Sequence, residues 1–191
     1  MATRNQGKLK EFRSLLKGLG LQLLFLNDYS DIPEIIEDGK TFFENALKKA
    51  RMVAEYTGES SLADDSGLEV DILGGKPGVY SSRYSGNDSN DEKNIKKLLR
   101  NLKGVPFEKR SAAFRCVLIL YHPGGQYEAF YGILQGFIAF ESKGSHGFGY
   151  DPVFYVPEFN MTVAEMSSDV KNEISHRGKA LLALRKGLKC R

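Results

Sequence analysis

SAAFRCVLILY, residues 111–121, is followed after a short interval by YEAFYGILQGFIAF, residues 127–140. In the first segment Phe114, Cys116, Leu118 and Leu120 recur at every second position, which is the spacing of one face of a β-strand. The interval contains His122-Pro123-Gly124-Gly125, and this composition is typical of a turn. The sequence therefore predicts a hairpin of two long strands, around which the rest of the chain is organised.

Segments with helical spacing precede and follow this hairpin in the chain. Thr41 with Glu44, and Ser89 with Glu92, have the spacing of capping boxes at helix starts. Shorter apolar runs predict strands at residues 21–26 and at 61–63, and short helical pieces begin near Thr162. The mixed order of strands and helices predicts an α/β (mixed α+β) fold with a sheet flanked by helices. The predicted helices cover residues 8–19, 41–56, 89–102 and 175–188.

The bulk composition limits the class of protein. The 191 residues predict one domain, residues 1–191, with room for two lobes. No apolar stretch approaches the roughly 18–20 residues that span a bilayer, and from the polar, charged N-terminal segment we expect no secretory signal. Two cysteines without zinc-site spacing favour a reducing compartment, so we expect a cytoplasmic protein without a membrane partner.

The charge balance is weakly basic, with a formal net charge of +3. Such an excess suits an anionic ligand, but a nucleic-acid binder usually concentrates its basic residues on one face. The densest basic region, residues 93–110, has the spacing of the solvated side of an amphipathic helix. We therefore expect a small anionic ligand and no nucleic acid.

Asp64 and Asp65 follow the apolar end of a short predicted strand and precede Ser66-Gly67. Paired carboxylates suit Mg²⁺, which takes a few protein oxygens and keeps waters and substrate phosphates as further ligands. Asp-Asp-Ser-Gly is equally typical of a turn, and neighbours on a regular strand face opposite sides. Both interpretations stay open on these residues alone, with Glu37 as a possible third carboxylate.

The N-terminal segment from Thr3 to Lys8 precedes a predicted helix. Backbone N–H groups at a helix start attract anions, Gly7 permits a close approach, and Lys8 adds a positive charge. An ordinary helix start capped by Asn5 explains the same residues. The segment lacks the full pattern of a P-loop.

Two later segments carry candidate ligand-binding groups. Phe148-Gly149-Tyr150-Asp151 lies in a glycine-rich loop, where an aromatic ring can either stack on a nucleobase or fill the core. Lys171, His176 and Arg177 can bind a carbonyl or phosphate oxygen, or can lie on a solvated helix face. No nucleophile elbow or ordered Cys-His pair supports a covalent mechanism.

Taken together, six segments resemble the inosine triphosphate pyrophosphatase family, whose members remove ITP, dITP and XTP. The resemblance covers nearly the whole chain and depends on the order and spacing of all six motifs. They are residues 2–8 (ATRNQGK), 37–46 (EDGKTFFENA), 62–68 (LADDSGL), 75–84 (GKPGVYSSRY), 147–152 (GFGYDP) and 175–180 (SHRGKA).

The resemblance implies a reaction, NTP + H₂O → NMP + pyrophosphate, with Mg²⁺ as cofactor. It also implies a long, twisted mixed sheet in two lobes with a central cleft, and a homodimer. Asp65 would be the catalytic residue and a metal ligand, together with Glu37 and Asp64. The implied substrate-binding residues are Thr3, Arg4, Asn5, Gln6, Gly7, Lys8, Lys49, Ser66, Phe148, Gly149, Tyr150, Asp151, Lys171, His176 and Arg177.

Two departures from the family pattern affect these expectations. Only Met1 and Ala2 precede Thr3, so we expect the first strand to be clipped and the phosphate loop to lack part of its anchor. The loop at residues 144–147 reads Gly-Ser-His-Gly, a change that we expect to be tolerated. Two other classes stay open: a Maf-like pyrophosphatase for modified pyrimidine nucleotides, and a nucleotide-binding protein without catalysis.

Overall fold

The structure, a computed structural model, describes residues 1–3, 5–17, 22–29, 32, 33 and 35–189. The predicted end of the first helix at Leu19 and the predicted strand start at Leu21 lie outside the described residues, as does Arg4. No helix within the described ranges is both long and apolar enough to cross a membrane.

The predicted hairpin forms the centre of a six-stranded sheet. Its two strands pair antiparallel, and the turn is closed where the His122 N–H donates to the Gln126 carbonyl at 2.8 Å. The strand order is β2-β1-β3-β4-β5-β6. The strands are β1 (Ser61–Val70), β2 (Lys76–Pro77), β3 (Ser111–Tyr121), β4 (Tyr127–Ile138), β5 (Phe154–Val156) and β6 (Met161–Thr162).

The α/β class is confirmed, but the prediction of a mixed sheet is not: every strand pair within the described residues is antiparallel. The hairpin connection after β3 allows only an antiparallel pair, whereas a parallel pair needs a long crossover. The arrangement of residues 1–191 as one domain with two lobes stays a prediction.

Five α-helices lie within the described residues, and their first residues follow local capping signals. The α2 helix starts after Thr41, whose hydroxyl accepts from the Glu44 N–H, and it ends at Gly58 in the left-handed conformation. The helices are α1 (Gln6–Leu16), α2 (Phe42–Thr57), α3 (Asp91–Asn101), α4 (Ser168–Ile174) and α5 (His176–Lys189).

Three local predictions are wrong. The cap of α3 is Asn90, which accepts from the Lys93 N–H, while the Ser89 hydroxyl donates to the Ser82 carbonyl. Residues 22–25 form no strand, and a 3₁₀ turn follows at Leu26–Asp28. The strand predicted to end at residue 63 continues through the carboxylates to Val70, because a full ladder with β3 stabilises it.

The two faces of the sheet are covered by different helices. On one face α2 packs Ala46, Ala50 and Val53 against a cluster that includes Ala63 and Ile119. On the other face α1 and α5 pack against even-numbered residues of β1 and β3. Successive strand residues point to opposite faces, so β1 contributes to both layers.

The α5 helix approaches β4 closely at its first turn. A side chain at Gly132 would place its Cβ 1.9 Å from the backbone oxygen of His176, so only glycine allows this contact. The close approach fixes the start of α5, and with it His176 and Arg177, relative to the sheet.

Candidate active site

A cavity of about 400 Å³ lies beside β1. β2 pairs with β1 only at Glu69 and Val70, and no other described strand pairs with that edge. Side chains from both faces of the sheet therefore reach the same space. The predicted site residues that line it are Thr3, Asn5, Lys8, Glu37, Lys49, Asp65, Ser66, Phe148, Gly149, Tyr150, Asp151, Lys171, His176 and Arg177.

The remaining predicted site residues differ in their placement. Gln6, Gly7 and Asp64 do not line the cavity, although each neighbours a residue that does.

Two backbone groups on the open edge of β1 have hydrogen-bond partners outside the sheet. The Leu62 carbonyl accepts from the Ala2 N–H at 2.9 Å, and the Leu68 N–H donates to the Ser81 hydroxyl at 2.9 Å.

The turn interpretation of Asp64 and Asp65 is wrong, because both residues lie within β1. Strand alternation sends their side chains to opposite faces of the sheet. Asp64 shares its face with Leu62 and Ser66, under α1 and α5, and Asp65 points toward α2. The two carboxylates therefore have different surroundings although they are adjacent in the chain.

Asp64 is fully buried among positive charges. Its Oδ2 lies 2.9 Å from Lys8 Nζ and 3.5 Å from Arg177 Nε, and it accepts from the Ser66 hydroxyl at 2.7 Å. Burial alone would raise the pKa of Asp64, but Lys8, Arg177 and Lys49 outweigh it and hold this pKa well below its usual range. Asp64 is therefore an ionised anchor for cations.

Asp65 has a weaker set of partners. Its Oδ2 accepts from Asn45 Nδ2 at 3.1 Å, and its Oδ1 lies 3.4 Å from Lys49 Nζ. Burial raises the pKa of Asp65, and Glu37 and Asp64 add to this effect, while Lys49 opposes it. The Asp65 carboxylate thus faces the cavity with less charge compensation than Asp64.

Asn45 connects the two elements that carry carboxylates, and the sequence did not assign it this role. Its side-chain oxygen accepts from the Gly39 N–H at 2.8 Å, while its Nδ2 donates to Asp65. A Cβ at Gly39 would lie 2.6 Å from the Asn45 Oδ1, so glycine permits the approach. Asn45 therefore holds the loop of Glu37 against β1.

The three predicted metal carboxylates do not form one cluster: the described residues contain no group of three His, Cys, Asp or Glu side chains placed to hold a metal ion. Asp64 is engaged by Lys8 on the other face. Glu37 Oε1 and Asp65 Oδ1 instead share Lys49 Nζ, at 2.8 and 3.4 Å. Two carboxylates around one cationic nitrogen fit a hard divalent ion that keeps water and phosphate ligands.

The start of α1 lies at one end of the cavity. Asn5 caps the helix by accepting from the Lys8 N–H at 3.0 Å, and Thr3 Oγ1 accepts from the Asn5 N–H at 3.2 Å. The first-turn N–H groups of Gln6 and Gly7 have no partner within the helix. The capped helix start and the anion site are thus compatible interpretations of the same residues.

Phe148 lies between the start of α1 and the cationic groups of Lys171 and Arg177. A Cβ at Gly7 would come within 2.6 Å of its ring, and Lys171 Nζ lies 4.8 Å from the ring centroid. Tyr150 is a core residue whose hydroxyl donates to the Ser81 carbonyl at 2.8 Å. The Gly149 N–H donates to Asp91 at 2.6 Å, a tether that the sequence did not indicate.

Of the two interpretations of Lys171, His176 and Arg177, the solvated helix face is wrong, since all three are buried. Glu11 on α1, absent from the predicted site, contacts Lys171 Nζ at 2.7 Å and also Arg177 Nη1. Lys171 also donates to Asp151 at 2.6 Å. The only sequence signal for a role of Glu11 was its position one helical turn after Lys8.

His176 is a neutral aromatic group in this site. Its ring stacks on Phe114 at a centroid distance of 4.9 Å. Burial lowers its pKa well below the usual value, and the nearby charges of Arg177 and Lys171 lower this pKa further. His176 therefore contributes packing and a neutral ring nitrogen to the cavity, and it adds no charge.

Known proteins are similar to this chain over nearly its whole length. Residues 1–187 match the Ham1 family. The chain is 55% identical to a dITP/XTP pyrophosphatase of Geobacter sulfurreducens over 97% of its own length and 93% of the relative. It is 47% identical to a dITP/XTP pyrophosphatase of Bacillus subtilis over 97% and 94% of the two chains.

Solved structures of similar proteins share the fold of this chain. A HAM1 protein from Coxiella burnetii has a TM-score of 0.91 and 42% identity, over 99% of this chain and 96% of that one. The Staphylococcus aureus Ham1 protein has a TM-score of 0.89 and 39% identity, over 98% and 96%.

The opposite surroundings of the two carboxylates predict opposite effects on stability. Asp64→Asn should lower the free energy of unfolding at pH 7 by about 3–5 kcal/mol, because it leaves buried cations without their anion. Asp65→Asn should raise it, because the amide keeps the contact with Asn45 and removes a charge that burial disfavours. Urea unfolding of the two variants measures both values.

A pH series supplies the internal control for this prediction. The Asp64 pKa is lowered on folding, so its stabilisation is present above about pH 4, the pKa in the unfolded chain, and is lost as the pH falls further. The Asp65 pKa is raised, so its cost is present at neutral pH and disappears in acid. If both variants changed the free energy of unfolding equally and in the same direction, the different surroundings assigned to Asp64 and Asp65 would be contradicted.

Proposed function

The chain belongs to the Ham1 family, and from the geometry of its cavity we propose that it is a Mg²⁺-dependent nucleoside triphosphate pyrophosphatase. It hydrolyses dITP, ITP and XTP to the monophosphate and pyrophosphate, and so removes aberrant purine nucleotides from the precursor pool. One observation carries the proposal: a carboxylate pair, a capped helix start with Lys8, and an aromatic platform share one cavity.

The phosphates belong at the start of α1. There the unpaired N–H groups and the helix dipole favour an anion, and Lys8 supplies a charge that Asp64 holds at 2.9 Å. Thr3 and Asn5 fix the segment by their hydrogen bonds and line the same wall. Arg4, Gln6 and Gly7 belong to this proposed phosphate-binding segment, and Ser66 faces it from β1.

Glu37 and Asp65 are the residues that would hold Mg²⁺. When bound there, the ion supplies neutralisation of phosphate oxygens and a lowered pKa of a bound water. Asp65 is proposed as the catalytic residue that orients the attacking water and accepts its proton. A raised carboxylate pKa makes it a better base near neutral pH, which supports this role.

The nucleobase belongs against Phe148, which presents a ring among Lys171 and Arg177. Arg177 carries five N–H donors, more than its contacts with Glu11 and Asp64 use. Hypoxanthine and xanthine have a 6-carbonyl that accepts such donors, whereas adenine has an amino group there. A donor facing a donor in a buried site disfavours ATP strongly. Gly149, Tyr150 and Asp151 shape this end.

The proposal includes a cytoplasmic homodimer. Cys116 is a free, buried thiol whose pKa burial raises to about 12, and a free thiol fits a reducing compartment. Tyr131 and Ile133 are exposed on the outer face of β4, and burial of this apolar surface against a second copy would be favourable. Sedimentation velocity should give twice the mass of 21.3 kDa, and a monomer at micromolar concentration would refute the dimer.

Product analysis tests the reaction. With Mg²⁺ the purified protein should release pyrophosphate and monophosphate from dITP, ITP and XTP, with little product from ATP, dTTP or UTP. Little product is expected from GTP as well, on the similarity to dITP/XTP pyrophosphatases and not on the 6-carbonyl, which guanine shares. Glu37→Gln should lower kcat about 100-fold, in the range of lost electrostatic stabilisation. Asp38→Asn is the matched control, because Asp38 is exposed and pairs with Lys48.

Other products would identify the alternatives. Release of orthophosphate would place the cleavage elsewhere and contradict the proposed phosphate orientation. Turnover restricted to pyrimidine nucleotides would indicate a Maf-like activity. Nucleotide binding that persists in EDTA, without turnover of any substrate, would indicate a binding protein.

A further inference from the structure

Lys49 lies where a divalent cation would have to bind. It extends from α2 into the cavity, is almost completely buried, and lies within 2.8 Å of Glu37 Oε1 and 3.4 Å of Asp65 Oδ1. These are the two carboxylates that fit Mg²⁺. In this structure their cationic partner is the lysine ammonium group.

The ammonium group has a clear electrostatic role. Without it, two negative charges that both contact the Lys49 ammonium group, a half-buried Glu37 and a buried Asp65, would have no cation between them. Burial would lower the Lys49 pKa, but Asp65, Glu37 and Asp64 outweigh this and raise it, so the side chain is charged. The pair and the lysine therefore compensate each other in the free protein.

A divalent ion and this ammonium group cannot both keep these positions. Carboxylate oxygens bind Mg²⁺ at about 2.0–2.1 Å, so Lys49 Nζ, in contact with the same oxygens, would lie close to a second positive charge. Lysine has a flexible four-carbon stem that allows its charge to move. Lys8 is in a different situation, because Asp64 holds it on the other face of β1.

We infer that Lys49 is an internal competitor for the divalent cation, and that it gives up its position between Glu37 and Asp65 when the cation binds. The released ammonium group then pairs with the phosphates of the nucleotide in the same cavity. This inference rests on the proposed function for the identity of the phosphate ligand, but the competition itself concerns the free protein.

The competition couples cation and nucleotide binding. In the free protein the cation must displace Lys49 from two ion pairs, so its affinity is low. Once phosphates are present, Lys49 has a new anionic partner and the displacement costs less. Each ligand therefore increases the affinity for the other, and the two factors must be equal.

The test measures cation affinity without nucleotide. Mn²⁺, which also prefers carboxylate and water ligands, is titrated into the protein, and the free ion is quantified by electron paramagnetic resonance. Lys49→Met should bind Mn²⁺ roughly tenfold or more tightly than the natural protein, in the usual range of coupling between ligands. Lys48→Met, on the same helix but paired with exposed Asp38, should leave the affinity unchanged.

A second variant keeps the test valid if Lys49→Met does not fold. Lys49→Arg retains the charge and presents a planar fork that suits two carboxylates, so it should weaken Mn²⁺ binding relative to the natural protein. Thermal melting confirms the folded state of each variant. Equal Mn²⁺ affinities across Lys49→Met, Lys49→Arg and the natural protein would overturn the inference.

The outcomes separate this inference from the proposed function. Pyrophosphate release from dITP together with equal Mn²⁺ affinities would leave the function intact and refute the competition. The predicted order of Mn²⁺ affinities without any nucleotide turnover would support the competition and refute the enzyme assignment.

Discussion

Strand alternation at the open edge of β1 is the constraint on which the site depends. Because successive residues face opposite sides, Asp64 and Asp65 are separated by the sheet although they are adjacent in sequence. Among the described strands, only β2 pairs with this edge, and it does so over two residues. Side chains from both faces of the sheet therefore still meet in one cavity beside the edge. One strand thus provides a charged anchor on one face and a cavity-facing carboxylate, the proposed catalytic residue, on the other.

From Asp64 a chain of ion pairs crosses the cavity wall. It passes through Arg177 and Glu11 to Lys171, which donates to Asp151, and the Asp151 carboxylate accepts from the Phe148 N–H. Removal of one member of such a network leaves a partner buried and unpaired, so the network fixes geometry more than it adds stability. It links the proposed phosphate and base ends of the site.

Local signals made much of the fold predictable. The hairpin at 111–140, the Thr41 cap and the alternating pattern of β3 depend on neighbouring residues, and they were predicted correctly apart from strand ends. The conformation of Asp64 and Asp65 was left open between a turn and a strand end, because Asp-Asp-Ser-Gly suits a turn and only the ladder with β3 holds it extended. Glu11, Asn45 and Asp91 were missed because their roles depend on partners far away in the chain.

Nucleotide kinetics of the two isosteric carboxylate variants test the division between the faces of β1 most directly. The account predicts that Asp65→Asn lowers kcat for dITP about 100-fold or more with little change in KM. It predicts that Asp64→Asn mainly raises KM, because Lys8 loses its anchor while Asp65 is unchanged. Near-normal kcat in Asp65→Asn, or a larger loss of kcat in Asp64→Asn at constant KM, would contradict it.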